Sequence, residues 1–100
     1  MKEKIYILNK NAQYVGKSEE EIIIHVKNKD KYYSFPDEIS YMLLSFNGIR
    51  TVEQIIDDTS EYFGIKRAII EAFINYYIEK LINNGVIVEN YEYYKAQQSR

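Results

Sequence analysis

The sequence predicts an α+β fold in which a three-stranded antiparallel sheet is followed by three helices. Three observations predict it. Short runs of branched and aromatic residues fill the first third of the chain. Apolar residues recur at helical spacing from Ile39 to Leu81. Glycine-containing breaks at Asn47-Gly48, Gly64 and Gly85 separate those periodic stretches.

Lys4 to Leu8 reads as a first short strand, and Glu21 to Lys27 ("EIIIHVK") as a stronger one. Between them, "NKNAQYVGKSEE" reads as a polar connection with a few extended residues around Tyr14-Val15. Asn28 to Lys31 reads as a turn, and Lys31 to Phe35 as a third strand that completes a hairpin. Pro36 cannot continue a sheet ladder but suits a helix start, with Asp37 and Glu38 at the positive end of the helix dipole. The first helix is expected over Asp37 to Phe46, with Ile39, Met42, Leu43 and Phe46 on one face.

"SFNGIRTVEQI" then reads as one helix closing and another opening. Asn47-Gly48 tolerates the positive φ of a turn, and Thr51 with Gln54 forms a capping box. The second helix is expected over Val52 to Phe63. Its apolar stripe is expected through Val52, Ile55, Ile56, Thr59, Tyr62 and Phe63, and Glu53, Asp57, Asp58 and Glu61 form a solvated face. The third is expected over Lys66 to Asn83, with Gly85 just beyond its end. Its core arc is Ile70, Phe73, Ile74, Tyr77, Ile78 and Leu81, opposite a solvent arc of Glu71, Asn75 and Glu79. A second apolar group, Ile65, Ile69, Ala72 and Tyr76, implies either burial on two sides or a strip left for a partner. Val86 to Glu89 has room for a short strand. Residues 1–89 therefore read as one domain, and 90–100 as a polar tail or a linker.

With no cysteine, the chain has no disulfide, thiolate metal site or iron–sulfur ligand. No apolar run nears the ~20 residues of a membrane span, and the N-terminus lacks a signal peptide's pattern, so a cytoplasmic protein is expected. The eleven tyrosines accompany abundant Ile, Asn and Lys, as AT-rich genes encode, so each is weighed by position. Chemistry is hard to find. His25 is the single histidine, placed on an apolar strand with no second ligand, which favours a structural role. Asp57 and Asp58 point about 100° apart on a helix and do not converge. The expectation is a non-catalytic domain with no cofactor and no metal.

A short turn between helices suggests a helix-turn-helix and hence DNA. The net charge of −2 and the acidic residues along the third helix argue against this. A winged-helix DNA-binding transcriptional regulator, with the basic hairpin "VKNKDKYY" as its wing, is the alternative.

The order of elements resembles a small winged helix-turn-helix-like family, typified by the pyrroloquinoline-quinone biosynthesis protein D. Its members recognise the leaders of ribosomally made, post-translationally modified peptides. The resemblance lies in "YYSFPDEISYMLLSFNGIRTVEQIIDD", with Asn47, Gly48, Arg50, Thr51 and Val52 at the helix junction. It continues in Tyr77, Ile78, Leu81 and Gly85-Val86-Ile87, covering about Tyr32 to Val88. It implies that an extended leader peptide adds as a strand along Lys31, Tyr32, Tyr33, Ser34 and Phe35. Leader side chains would meet Ile69, Phe73 and Tyr76 on the third helix; the residue pattern, and not the resemblance, sets Lys29, Lys31 and Lys80 to face acidic leader residues. The implied partners are a precursor peptide and a peptide-modifying enzyme, often a radical-SAM protein, with no nucleic acid and no membrane.

Overall fold

The computed structural model describes residues 3–92. Nine elements follow one another: β1 (Ile5–Leu8), β2 (Ala12–Ser18), β3 (Glu21–Val26), β4 (Lys31–Pro36), α1 (Ile39–Ser45), β5 (Asn47–Thr51), α2 (Val52–Phe63), α3 (Arg67–Asn83) and β6 (Ile87–Glu89). They form two antiparallel three-stranded sheets, ordered β2-β3-β4 and β5-β1-β6, with three helices. The α+β class is as predicted, but the strands of the meander are not those expected. The supposed polar connection is β2, a strand paired with β3 from Ala12↔Val26 to Ser18↔Glu21, with a one-residue register shift between Tyr14 and Gly16. Only Ala12 of β2 is buried, so the strand leaves almost no alternating pattern to read. β1 belongs instead to the second sheet, where Tyr6↔Glu89 and Leu8↔Ile87 pair it with β6.

The junction expected as a bare turn is also a strand. β5 aligns Thr51 with Ile5 and Asn47 with Ile7 on β1. Gly48 has φ +84°, and a Cβ there would lie 2.7 Å from Asn90 Nδ2 and 3.0 Å from Ile7 Cδ1. The positive φ favours glycine at this position, and any Cβ would also force the Asn90 and Ile7 side chains to shift. Asn90 Nδ2 donates to Gly48 O at 2.8 Å, and its N–H to Ile5 O at 2.9 Å. Asn90 thus ties β5, β1 and the end of β6 together. Residues 93–100 of the expected tail lie outside the described residues.

α2 spans the predicted residues. Thr51 Oγ1 accepts from Gln54 N–H at 3.1 Å and Thr51 N–H donates to Gln54 Oε1 at 2.9 Å, closing the capping box. Gly64, left-handed at φ +65°, caps its other end. α1 starts two residues later than expected. Asp37 is held by Lys17 Nζ at 3.0 Å and donates its N–H to Glu20 O at 2.8 Å, which fastens it to the β2–β3 hairpin. Pro36 closes β4 opposite Glu21 instead of opening the helix.

One core joins Ile22, Ile24 and Val26 of β3 with Phe35, Met42, Ile55, Ile74, Leu81 and Ile87. On α3 the buried residues are Ile70, Ile74, Ile78 and Leu81, with Phe73 and Tyr77 packed at the margin. The expected solvent arc is corrected here. Glu71 and Asn75 are half-buried; Glu71 accepts from Arg67 Nη1 at 2.8 Å, because α3 packs on α2 along that side. Three carboxylates of the acidic face of α2 are likewise partnered. Asp57 and Glu53 accept from Arg67 at 2.5 and 3.4 Å, and Asp58 pairs with Arg50. Among the described residues, no helix is long and apolar enough to cross a membrane.

Candidate functional site

β4 has β3 on one side and, among the described residues, no strand on the other. Its side chains alternate by the strand's twofold period. Tyr33 and Phe35 turn towards the core, while Tyr32 and Ser34 are exposed. On the outer face Tyr32 stacks on His25, ring centroids 4.3 Å apart, and Ser34 Oγ donates to Glu21 Oε2 at 2.9 Å. His25 Nε2 lies 3.0 Å from Asp30 Oδ1, so hairpin partners occupy the imidazole on two sides.

A groove of about 240 Å³ runs between β4 and α3, lined by Tyr33, Ser34, Phe35, Pro36, Tyr76, Tyr77, Lys80 and Asn84. Tyr76 and Tyr77 meet edge to face at 5.0 Å, and Lys80 Nζ sits 5.0 Å from the Tyr76 ring centroid. An ammonium over a ring face is attracted by the ring quadrupole, which holds both side chains at the mouth of the groove. Lys29 Nζ approaches the same end of α3, where a Cβ on Gly85 would lie 3.4 Å from it. Lys29, Lys31 and Lys80 form no ion pair among the described residues. The groove therefore combines strand backbone, aromatic faces and uncompensated positive charge.

Of the predicted binding residues, the structure brings Tyr33, Ser34, Phe35, Tyr76 and Lys80 into this groove. Lys31 and Tyr32 lie on β4 outside its walls. Ile69 and Phe73 line a separate pocket against α1 and α2. Residue 69 lies about two turns of helix before residue 76, and that end of α3 faces the other helices. Pro36, Tyr77 and Asn84 were missed. The column Tyr76, Lys80, Asn84, spaced by four, was the signal that would have found Asn84.

Lys66 and Arg67 are the basic residues at the start of α3, the helix that a winged-helix DNA reader would present, and Arg67 is committed to carboxylates. Its hydrogen bond to Asp57, with the charges of Asp57, Glu71 and Glu53, raises its pKa above the ordinary value. Lys66 is the cation left exposed at that end. The described residues hold no cluster of three or more potential metal-ligating side chains. No family model, no curated protein and no solved structure matches the chain.

Proposed function

We propose that this domain recognises the leader of a ribosomally made precursor peptide and delivers it to a separate or fused modifying enzyme. The observation that carries the reading is the β4–α3 groove, where residues of an edge strand, Tyr76, Tyr77 and Lys80 line one channel. An extended peptide adds beside β4 through main-chain hydrogen bonds, and its side chains enter the groove against Tyr76 and Tyr77. Acidic leader residues meet Lys80, Lys31 and Lys29. A leader disordered when free loses conformational entropy on pairing, so affinity is moderate. A short flexible tether then holds the core segment near the enzyme at about millimolar local concentration. A radical-SAM enzyme is the modifying partner that the family resemblance favours.

Titrating the labelled domain with a leader encoded beside its gene tests this. Amide shifts are expected at 31–35 and 76–84. Successive N–H groups of β4 alternate between β3 and the open edge, so prolines at Tyr32, Tyr33 and Ser34 are compared. Those replacing an outward N–H abolish binding while circular dichroism stays unchanged. Shifts confined to the carboxylate face of α2, or none with any such leader, refute the reading.

A further inference from the structure

A second concavity shares no lining residue with the β4–α3 groove. It is a pit of about 180 Å³ between α1, α2 and α3, walled by Met42, Thr59, Ile65, Ile69, Phe73 and Ile74. It opens onto a shelf formed by Asp37, Glu38, Ser40, Tyr41, Tyr62 and Phe63, with Glu38, Tyr41 and Phe63 common to both. On the shelf three rings pack together, Tyr41–Tyr62 at 5.0 Å, Tyr41–Phe63 at 5.3 Å and Tyr62–Phe63 at 4.9 Å. They are nonetheless open to water: Tyr62 is 70% and Phe63 48% exposed.

We infer that this pit and shelf dock a segment of a partner protein that inserts a tryptophan or tyrosine flanked by lysine or arginine. Size sets the first requirement. A cavity of about 150 Å³ accepts benzene, so the pit holds a single aromatic side chain. Thr59 sets the second. It is 6% exposed, and its Oγ1 is buried with no hydrogen-bond partner. Oγ1 has almost no surface open to the pit, so an indole N–H or phenol O–H supplies that partner only by displacing the wall over it, and a phenylalanine supplies none. Charge sets the third. Asp37 and Glu38 line the shelf, and no basic side chain among the described residues lines pit or shelf. Asp37 is already paired with Lys17, whereas Glu38 has no ion pair among the described residues. A cation flanking the anchor would lie between Glu38 and the Tyr41–Tyr62 ring faces. Exposed aromatics around a pocket are the usual composition of an interface centre.

The chain contains no tryptophan, so emission from a tryptophan probe reports its burial without background. The probe is the synthetic peptide acetyl-Lys-Lys-Trp-Lys-Lys-amide, compared with its Glu-flanked and Phe-centred counterparts. A blue shift is expected on adding the domain, with amide perturbations at Thr59, Ile65, Ile69 and Phe73. The Glu-flanked peptide should bind at least about fivefold more weakly, as should the Phe-centred one. Thr59→Val should erase the preference for Trp over Phe, and Ile69→Glu, at an exposed wall, should abolish binding with the fold intact. Equal binding of Lys- and Glu-flanked peptides overturns the proposal. So does a Trp preference that survives Thr59→Val, or a set of perturbations at 33–35 and 76–84 instead. No blue shift at millimolar peptide overturns it too.

Discussion

Replacing Gly48 by alanine tests the joint that holds β5, β1 and β6 together. Two costs follow from the geometry. A residue with a Cβ at φ +84° adopts the left-handed region at about 1–2 kcal/mol. The new Cβ also lies 2.7 Å from Asn90 Nδ2, the atom that donates to Gly48 O at 2.8 Å. Asn90 must swing away, forfeiting a hydrogen bond worth about 1 kcal/mol. The sum is about 2–3 kcal/mol, which for a domain of this size lowers Tm by roughly 10–20 °C. Thermal and urea unfolding, followed by circular dichroism, measure it. Asn90→Ala separates the parts: alone it loses the hydrogen bond, and in its background Gly48→Ala keeps the backbone strain and the tight approach to Ile7 Cδ1 at 3.0 Å. The double-mutant cycle should return a coupling of about 1 kcal/mol. A Gly48→Ala domain that melts within about 2 °C of the parent refutes the argument, as does zero coupling. If the variant melted normally yet lost leader binding, Gly48 would belong to the binding surface and not to the architecture.

Thr51→Ala breaks the capping box of α2 and should cost about 1 kcal/mol in urea unfolding, without changing leader affinity. Tyr76→Ala should weaken leader binding severalfold in calorimetry and leave the melting curve in place, because Tyr76 is 57% exposed and outside the core. Lys4, hydrogen-bonded to Glu89 at 2.7 Å, has its pKa raised by that bond and by the Glu89 charge. A raised lysine pKa gives stability that is full below the unfolded value and is lost as pH climbs through the folded one. The Lys4→Met variant should therefore lose more of its deficit relative to parent as the alkaline limit is approached in pH-dependent melting. No specific duplex-DNA binding is expected, since Arg67 is held by three carboxylates; a salt-sensitive electrophoretic shift would reverse that expectation.

The elements legible in the sequence are those whose causes are local. α2 could be read to the residue because Thr51, Gln54 and Gly64 lie within a turn of its ends, and its apolar spacing repeats within the same dozen residues. The core arc of α3 was legible for the same reason, as was the β3–β4 hairpin, whose strands are joined by four polar residues. β2 escaped because strand formation there depends on hydrogen bonds to β3 and not on side chains; its polar residues carry no alternation to detect. β5 was hidden behind its own turn chemistry. Asn47-Gly48 looks the same whether the chain merely turns or pairs with β1, and that partner lies some forty residues away. The candidate groove divides along the same line. An open edge at β4 and a spare apolar strip on α3 could be inferred from the residues, but which part of the strip faces the edge depends on how α3 is rotated in the packed domain. Burying Ile70, Ile74, Ile78 and Leu81 together fixes that rotation. It carries Tyr76 and Lys80 to β4 and leaves Ile69 and Phe73 facing α1 and α2.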